Sequence, residues 1–499
     1  MDALERAREA GLAVQALIDP DILLRALQQG LERRLKRSSV YGLAERAPEF
    51  SAMRQLTGRQ FAWTLGIVLL AMDFYILSAG LTALLASLAF SALFLAVILI
   101  RFQSLLPLPR LRQPPLLADA DLPVYTVLVP LFRETRVVDG LLEALDALDY
   151  PPDRLDIKII LEADDKPMRA LIGGLTLPAQ YEVIIVPVCR PRTKPKALNY
   201  ALRFARGSLV TVFDAEDIPH PGQLRLAASR FAEAPWDLVC LQAALGFYNR
   251  AENWLTRQFA LEYAMQFTMV FPLLAAYRMP LPLGGTSNHF RIAALRAVGG
   301  WDPHNVTEDA DLGLRLSRFG LRAAMLPTYT AEEASCDFSN WLRQRARWLK
   351  GWLQTWLVHM RDPLRLWTEA GTLGSLVIQA MTAGIILSAL FHPLFVLWMT
   401  ASVLPHLLTS TSLSVFEIGA AASYLSVFVL GYGVAFCCAI KAGYRIDGKL
   451  WLGSALTMPA YWILVSMAAW VALWEFIVSP FSWNKTRHGV TRHPSARRR

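Results

Sequence analysis

Apolar positions along this chain follow two patterns, and the switch between them divides it. From Phe61 to Ile100 they are almost continuous, with Asp73 the single charge. About 20 apolar residues cross a bilayer, so this stretch predicts two spans joined near Ser78, Ala79 and Gly80. Continuous stretches return at roughly 372–400, 413–440 and 451–478. Between Leu122 and Ala370 the apolar runs are short and alternate with amphipathic ones. "PVYTVLVP", "LDIKIILE", "YEVIIVPV" and "GSLVTVF" read as strands, and "TRVVDGLLEALDALDYP" and "KPKALNYALRFAR" as helices. Strands that are nearly continuous apolar runs, alternating with helices, predict a mostly parallel sheet covered on both faces.

The division that follows has six parts. They are an N-terminal helical region over 1–60, a transmembrane hairpin over 61–101, an α/β domain over 120–336, an interfacial amphipathic helix over 337–370, transmembrane or interfacial helices over 371–480, and a basic tail over 481–499. The N-terminus starts as a charged helix, "DALERAREAGLAVQALIDPDILLRALQQGLERRLKR", without the pattern of a cleaved signal. Arg33, Arg34, Lys36, Arg37, Arg54 and Arg59 precede the hairpin, and Arg101, Arg110 and Arg112 follow it. Basic flanks on both sides place both in the cytoplasm. Lys441, Arg445 and Lys449 argue the same for the loop between the last two stretches, and Lys485, Arg487, Arg492 and Arg497 to Arg499 for the tail. A single span cannot have both ends on one side. Either one segment is re-entrant or interfacial, or the tail breaks the charge rule.

Composition agrees with a membrane protein. Of 499 residues 54% are hydrophobic and 18% charged, below the quarter or so usual in soluble domains. The net charge of +9 gathers beside the membrane segments. It reads as topology and contact with anionic headgroups, not as nucleic-acid binding. The five cysteines, Cys189, Cys240, Cys336, Cys437 and Cys438, lack metal-ligand spacing and read as free thiols. No Gly-rich loop ending in Lys-Ser or Lys-Thr is present, which argues against a P-loop nucleoside triphosphatase.

Ligands of such sheets bind beyond the carboxyl ends of the strands. Three of the strands end in acids: Glu134 after the first, Asp164 and Asp165 after the second, and Asp214, Glu216 and Asp217 after the fourth. Carboxylates gathered at one edge repel one another unless a cation joins them. Hard oxygen ligands of this kind suit Mg2+ or Mn2+, which bridge carboxylates and substrate phosphates. An Asp-x-acid triplet is weak by itself; its place at a strand end strengthens it. Two later clusters stand close together. "TEDADLGLRL" (307–316) opens a helix with Glu308, Asp309 and Asp311, and Thr307 is placed to cap it. Its plainer reading is an acidic helix start, common because of the helix dipole. "QRARW" (344–348) lies in "WLRQRARWLKGWLQTWLVHM", which has tryptophans at 341, 348, 352 and 356. Its plainer reading is a membrane-interface helix. "PLGGTSNHFR" (282–291) offers Gly284 and Gly285 for close backbone approach and Ser287, Asn288 and His289 as donors, or is simply a turn.

The ordered set "PLFRE", "EADD", "TKPKALN", "DAED", "TEDADLGLRL" and "QRARW" resembles the membrane-integrated family 2 glycosyltransferases, the cellulose, chitin and hyaluronan synthase group. The resemblance covers about 120–360. It implies an α/β GT-A fold, nucleotide-sugar-binding and Rossmann-like, as a cytoplasmic domain inserted between α-helical transmembrane segments. It also implies inverting transfer from a nucleotide-diphosphate sugar with Mg2+ or Mn2+. Carried over by residue, Asp309 matches the general base. Asp164 matches the acid that helps hold the base of the nucleotide, Lys194 the lysine facing the diphosphate, and Asp214 the first metal-binding acid. Gln344, Arg347 and Trp348 match the Gln-x-x-Arg-Trp motif along the acceptor and diphosphate. Glu134 joins the donor-binding set, and Glu308, Asn288 and His289 the acceptor-binding set. Two departures stand out. The usual Asp-x-Asp is here Asp214-Ala215-Glu216-Asp217, so either Glu216 or Asp217 is the second metal ligand. "EADDKP" also replaces the common Asp-Asp-Gly-Ser.

Elementary chemistry supports these roles. The acceptor hydroxyl loses a proton as it attacks the anomeric carbon, which a carboxylate in hydrogen-bond reach can take. The leaving diphosphate gains charge, which a metal, Lys194 and the planar fork of Arg347 stabilise. The expectation is a bacterial inner-membrane, multi-pass enzyme with its catalytic domain in the cytoplasm. It transfers a hexose, from UDP as first choice, to a growing β-linked polysaccharide, with translocation and export partner proteins as extensions of that reading. The alternative is addition of one sugar to a lipid or lipid-linked acceptor. A degenerate surface-assembly or receptor component is a third class, against which the intact Asp214, Asp309 and Gln344-Arg347-Trp348 set argues. "PFSWNKTRHG" in the tail (480–489) has no physical account at this level.

Overall fold

The structure, a computed structural model, describes residues 20–109, 113–409, 415–482, 485–486 and 488–491. The first part of the N-terminal helical stretch, Arg110, Arg112, Arg487, Arg492 and Arg497 to Arg499 lie outside the described residues.

The apolar runs of the middle segment become β1 (Tyr125–Leu131), β2 (Leu155–Glu162), β3 (Tyr181–Val186) and β4 (Leu209–Val212). Later come β5 (Ile218–Pro219), β6 (Leu238–Phe247), β7 (Asn288–Arg291) and β8 (Arg322–Glu332). They form one sheet in the order β3-β2-β1-β4-β7-β6-β8-β5. Side chains alternate across a strand with period two, and both faces are filled. Val127 and Val129 enter one core with Ile157, Ile159, Leu224 and Phe231. Leu128 enters the other with Ile160, Val210, Leu198, Phe290 and Trp301. This is why β1 and β2 are continuous apolar runs.

The expectation of a mostly parallel sheet needs correction. β1 to β4 are mutually parallel, but β7 lies antiparallel between β4 and β6. β8 then runs parallel to β6, and β5 antiparallel to β8. The sheet is mixed. The inserted strand is "NHFR", with Phe290 its single apolar side chain, which resembles a loop in isolation. Its burial comes from neighbours 80 residues before it and 50 before it in sequence, Thr211 and Leu241 opposite His289.

Among the described residues, six helical stretches are long and apolar enough to cross a membrane: Gly58–Leu77, Ala79–Ser104, Trp254–Ala276, Pro363–Leu394, Ala421–Asp447 and Met458–Val478. Two of them are tied to other described elements at both ends. Trp254–Ala276 connects β6 to β7, which are neighbours in the sheet. Met458–Val478 lies beside the helix Phe338–His359. Ahead of it, Gln258 Nε2 donates to Ser454 O at 2.8 Å. In its first turn the Tyr461 hydroxyl donates to Glu262 and accepts from Arg345, both at 2.8 Å. In its last turn Glu475 pairs with Lys350 at 2.9 Å, and just beyond it Gln354 Nε2 donates to Pro480 O at 2.9 Å. The residues just before this helix and just after it are thus both hydrogen-bonded to other described elements. Gly58–Leu77 starts with a Thr57/Gln60 capping box, and Gln60 Nε2 donates to Leu357 O at 2.7 Å. It is exposed along its length, Asp73 included.

Candidate active site

The carboxyl ends of β1, β2, β4 and β8 open into a cavity of about 1320 Å3. Acids from all four strand ends line it: Glu134, Glu162, Asp214 with Glu216, and Glu332. Facing them are Lys194, Glu308, Asp309, Gln344, Arg347 and Trp348. The tail closes one side with Phe481, Lys485, Thr486 and His488.

Lys194 begins the helix Lys194–Ala201 and points inward. Its Nζ lies 2.5 Å from Asp214 Oδ1 and donates to Gly285 O at 2.7 Å. Burial alone would lower its pKa, but Asp214 and Glu308 outweigh that and raise it, so it stays charged. Glu216 is pushed up to about 8 by burial and then by Asp214. Burial raises Glu332 well above the glutamate range, with Asp217, Glu216 and Asp214 adding to it. Glu332 Oε1 is buried without a hydrogen-bond partner. Negative charge thus exceeds the cations supplied by side chains at this edge. That excess and the oxygen-rich donor set fit a divalent cation.

Asp309 sits in the first turn of Glu308–Arg318. Its Oδ1 accepts the Ala310 N–H at 2.8 Å. A Cβ added to Gly285 would come within 3.1 Å of its Oδ2, so the glycine lets backbone and carboxylate touch. Burial raises Asp309; it raises Glu308 to about 8, with Asp309 adding to it. The Arg347 guanidinium is lowered by burial, and Glu308 and Asp309 counter that effect.

This helix start is docked on the Phe338–His359 helix. Val306 N–H donates to Gln354 Oε1 at 3.1 Å, and Asn305 Nδ2 to Thr355 Oγ1 at 2.8 Å. A Cβ at Gly351 would lie 2.5 Å from Thr307. The closeness of the acidic and basic-aromatic clusters in sequence is therefore direct contact in space. Trp348 faces Tyr263 at 6.1 Å, with rings nearly parallel, and Phe259 at 5.7 Å. Gln344 Oε1 accepts from Ser335 at 3.3 Å.

Four expectations need correction. Asn288 and His289 do not line the cavity. They lie in β7, where His289 Nδ1 meets the Tyr125 hydroxyl at 2.7 Å and Nε2 meets Gln223 at 3.1 Å. Asp217 turns away from it, accepting the Asp214 N–H at 2.6 Å and the Thr286 hydroxyl. Asp164 stands outside it, paired with Arg192 of the rim. Thr307 makes no side-chain cap; Asp311, in the same turn, pairs with Arg315 at 3.3 Å and His359 at 3.2 Å.

Other lining residues were not anticipated. Glu332 follows the rule of acids at strand ends, but Pro327 breaks up the run before it. Tyr263 comes from a helix that reads as core. The tail's Lys485 pairs with Glu134 at 2.8 Å, and His488 Nδ1 is 3.2 Å from Glu216 Oε1. Glu333, 3% exposed, holds this segment by accepting the N–H groups of Gly489, Val490 and Thr491 at 2.6, 2.9 and 2.8 Å. The one available signal was the basic, aromatic composition of "PFSWNKTRHG".

Residues 123–351 match the profile described as "Glycosyltransferase like family 2". The chain is 28% identical over 255 residues to a beta-monoglucosyldiacylglycerol synthase of Synechocystis, covering 50% of this chain and 52% of that protein. It is 26% identical over 246 residues to glucomannan 4-beta-mannosyltransferase 2 of Arabidopsis thaliana, covering 47% and 45%. It is 30% identical over 295 residues to cellulose synthase 2 of Novacetimonas hansenii, covering 58% and 18%. The chain spans about half the length, or less, of these curated relatives.

Proposed function

The chain carries a family 2 glycosyltransferase domain with a GT-A-like α/β architecture, and on that premise we propose that it transfers a sugar from a nucleotide-diphosphate donor to a carbohydrate acceptor with inversion, extending a β-linked glycan at the membrane. The observation that carries this is one cavity joining a carboxylate edge with Lys194 to Asp309, Arg347 and an aromatic wall.

The donor diphosphate lies along Lys194 and Arg347, whose charges meet the charge that develops as the bond to the sugar breaks. A divalent cation, held through Asp214 and Glu216, supplies further charge neutralisation there. Glu216 is taken before Asp217 in this role because it is the one of the two that lines the cavity. Asp309 accepts the proton of the attacking hydroxyl. Trp348, Tyr263 and Phe267 offer flat apolar surface against which an acceptor ring rests. The α/β domain is read as cytoplasmic, at a bacterial inner membrane, from the basic flanks.

Relatives named for cellulose and glucomannan support a polymer product. A second reading, transfer of one sugar to a lipid, has its own support. An apolar groove of about 110 Å3, lined by Leu349, Leu353, Trp356, Ile386 and Ala469, runs along the Phe338–His359 helix. One relative is also named for a glucosyldiacylglycerol. The deciding experiment incubates purified protein with UDP- and GDP-sugars, Mn2+ or Mg2+, and membranes, then measures product size and nucleotide released. A long alkali-stable glycan is expected; a single labelled sugar in the lipid extract would replace the first reading with the second. Excess chelator stops turnover in either case, and full activity in chelator removes the metal from the reading.

A further inference from the structure

We infer that Asp302 is a positioning residue for Asp309, held in place by the N-terminal stretch 39–54, which lies outside the matched segment 123–351 and forms part of the cavity wall. The inference rests on the reading of Asp309 as the base and adds to it what keeps that carboxylate in place.

Asp302 stands seven positions before Asp309 and is fully buried. A buried carboxylate is costly unless hydrogen bonds compensate it. Its Oδ2 accepts the Ala52 N–H at 2.5 Å, and its Oδ1 accepts the Ser51 hydroxyl and the His304 N–H, both at 3.1 Å. Ser51 and Ala52 lie 251 and 250 positions earlier in the chain. Burial would raise the Asp302 pKa, but the His304 ring and the two N–H groups outweigh it and lower it, so the charge stays.

The same stretch meets the far end of the base helix, Glu308–Arg318. Phe50, 2% exposed, packs 5.3 Å from Phe319 and lies under the Arg318 guanidinium at 4.6 Å. Arg361, just past the Phe338–His359 helix, donates to Pro48 O at 2.6 Å, to Ser51 O at 2.8 Å and to Arg54 O. Asn199, in the helix that begins with Lys194, donates to Ser39 O at 3.4 Å and to Trp301 O at 2.7 Å. The loop that leads to Asp309 is therefore fixed from two sides. Gln354 and Thr355 hold Val306 and Asn305, and the N-terminal stretch holds Asp302. Tyr41 and Met53 of that stretch line the cavity, as does His304. The His304 ring meets Tyr41 at 6.1 Å and Phe481 at 5.7 Å.

A contact that only stabilised the fold would act on donor binding and turnover together. The Asp302 contact ends on the loop that carries the base, so its loss should act on turnover. A misplacement of about 1 Å costs on the order of 10²-fold in rate.

The test uses the purified full chain. Asp302→Asn keeps the shape and removes the charge. Ala52→Pro removes the N–H, and Ser51 is already extended (φ −103°, ψ 131°), the conformation favoured before proline. Each should lower kcat by about 10- to 100-fold, while titration with the UDP- or GDP-sugar that supports turnover gives native donor affinity. Combined, the two should cost little more than either alone, because both break one contact. Hydrogen exchange should rise over 303–309 in both variants and stay native in β1 and β2. Native kcat, additive losses, native exchange over 303–309, or donor affinity falling as far as kcat would each overturn the inference. Asp309→Asn separates its failure from that of the base reading. An inactive Asp309→Asn beside a fully active Asp302→Asn sinks the inference alone, and native turnover in Asp309→Asn sinks the base itself.

Discussion

At Asp309 two opposing effects meet in one carboxylate. Burial pushes its pKa up, while the Ala310 N–H, Lys194 and Arg347 pull it down, and burial wins. A base works only when deprotonated, so transfer should be full at higher pH and fall as pH drops through this raised value. The acid limb of the kcat profile is therefore expected above the ordinary aspartate value of about 4; a limb at or below 4 would remove Asp309 as the titrating group. Asp309→Asn should lower turnover by roughly 10²–10⁴-fold and leave donor affinity, read by titration calorimetry, close to native. Residue type and spacing picked out Lys194, Asp214, Asp309 and Arg347, and all four line the one cavity. They were not enough to separate Glu216 from Asp217. Neighbouring residues point in different directions, and which one meets the Thr286 hydroxyl depends on a loop 69 positions later.

The Phe338–His359 helix meets the start of Glu308–Arg318 at Gly351. Any side chain there meets Thr307 at 2.5 Å, which either bends the helix or moves the start of Glu308–Arg318. Gly351→Ala should cost about 1–3 kcal/mol of stability, the range for overpacking a filled contact, and should lower kcat more than donor affinity. Thermal unfolding and steady-state kinetics measure the two separately; a native Tm with native kcat would show that the contact is not rigid. One turn earlier, Trp348→Ala should keep donor binding and lose elongation, leaving slow donor hydrolysis by water, since aromatic faces hold a ring by contact area. Size-resolved product analysis checks this, and normal chain length in the variant would end the platform role. The helix itself was readable from the sequence. What the helix packs against was not, because periodicity describes a face and not its partner.

At the scale of the whole molecule, the strand connection made by Trp254–Ala276 and the hydrogen bonds near both ends of Met458–Val478 lead to the prediction that four of the six candidate spans among the described residues cross: Gly58–Leu77, Ala79–Ser104, Pro363–Leu394 and Ala421–Asp447. An even number returns the tail to the side of the α/β domain. Cysteines placed at Ser78, Lys449 and Ser479 in a cysteine-free background test this. Only Ser78→Cys should react with an impermeant maleimide in intact cells; labelling of Ser479→Cys there would make Met458–Val478 a true span. The sequence by itself determined where apolar surface is continuous, where strands end in acids and which few charged residues recur in the right order. These depend on composition and local spacing, which tertiary structure does not change. Only the tertiary structure decided that "NHFR" is a central strand, that His289 is core and that Asp217 is turned inward. It alone brought Lys485 and His488 back over the cavity. Each of these depends on contacts between segments far apart in the chain, and a linear pattern carries no information about which distant segment will cover it.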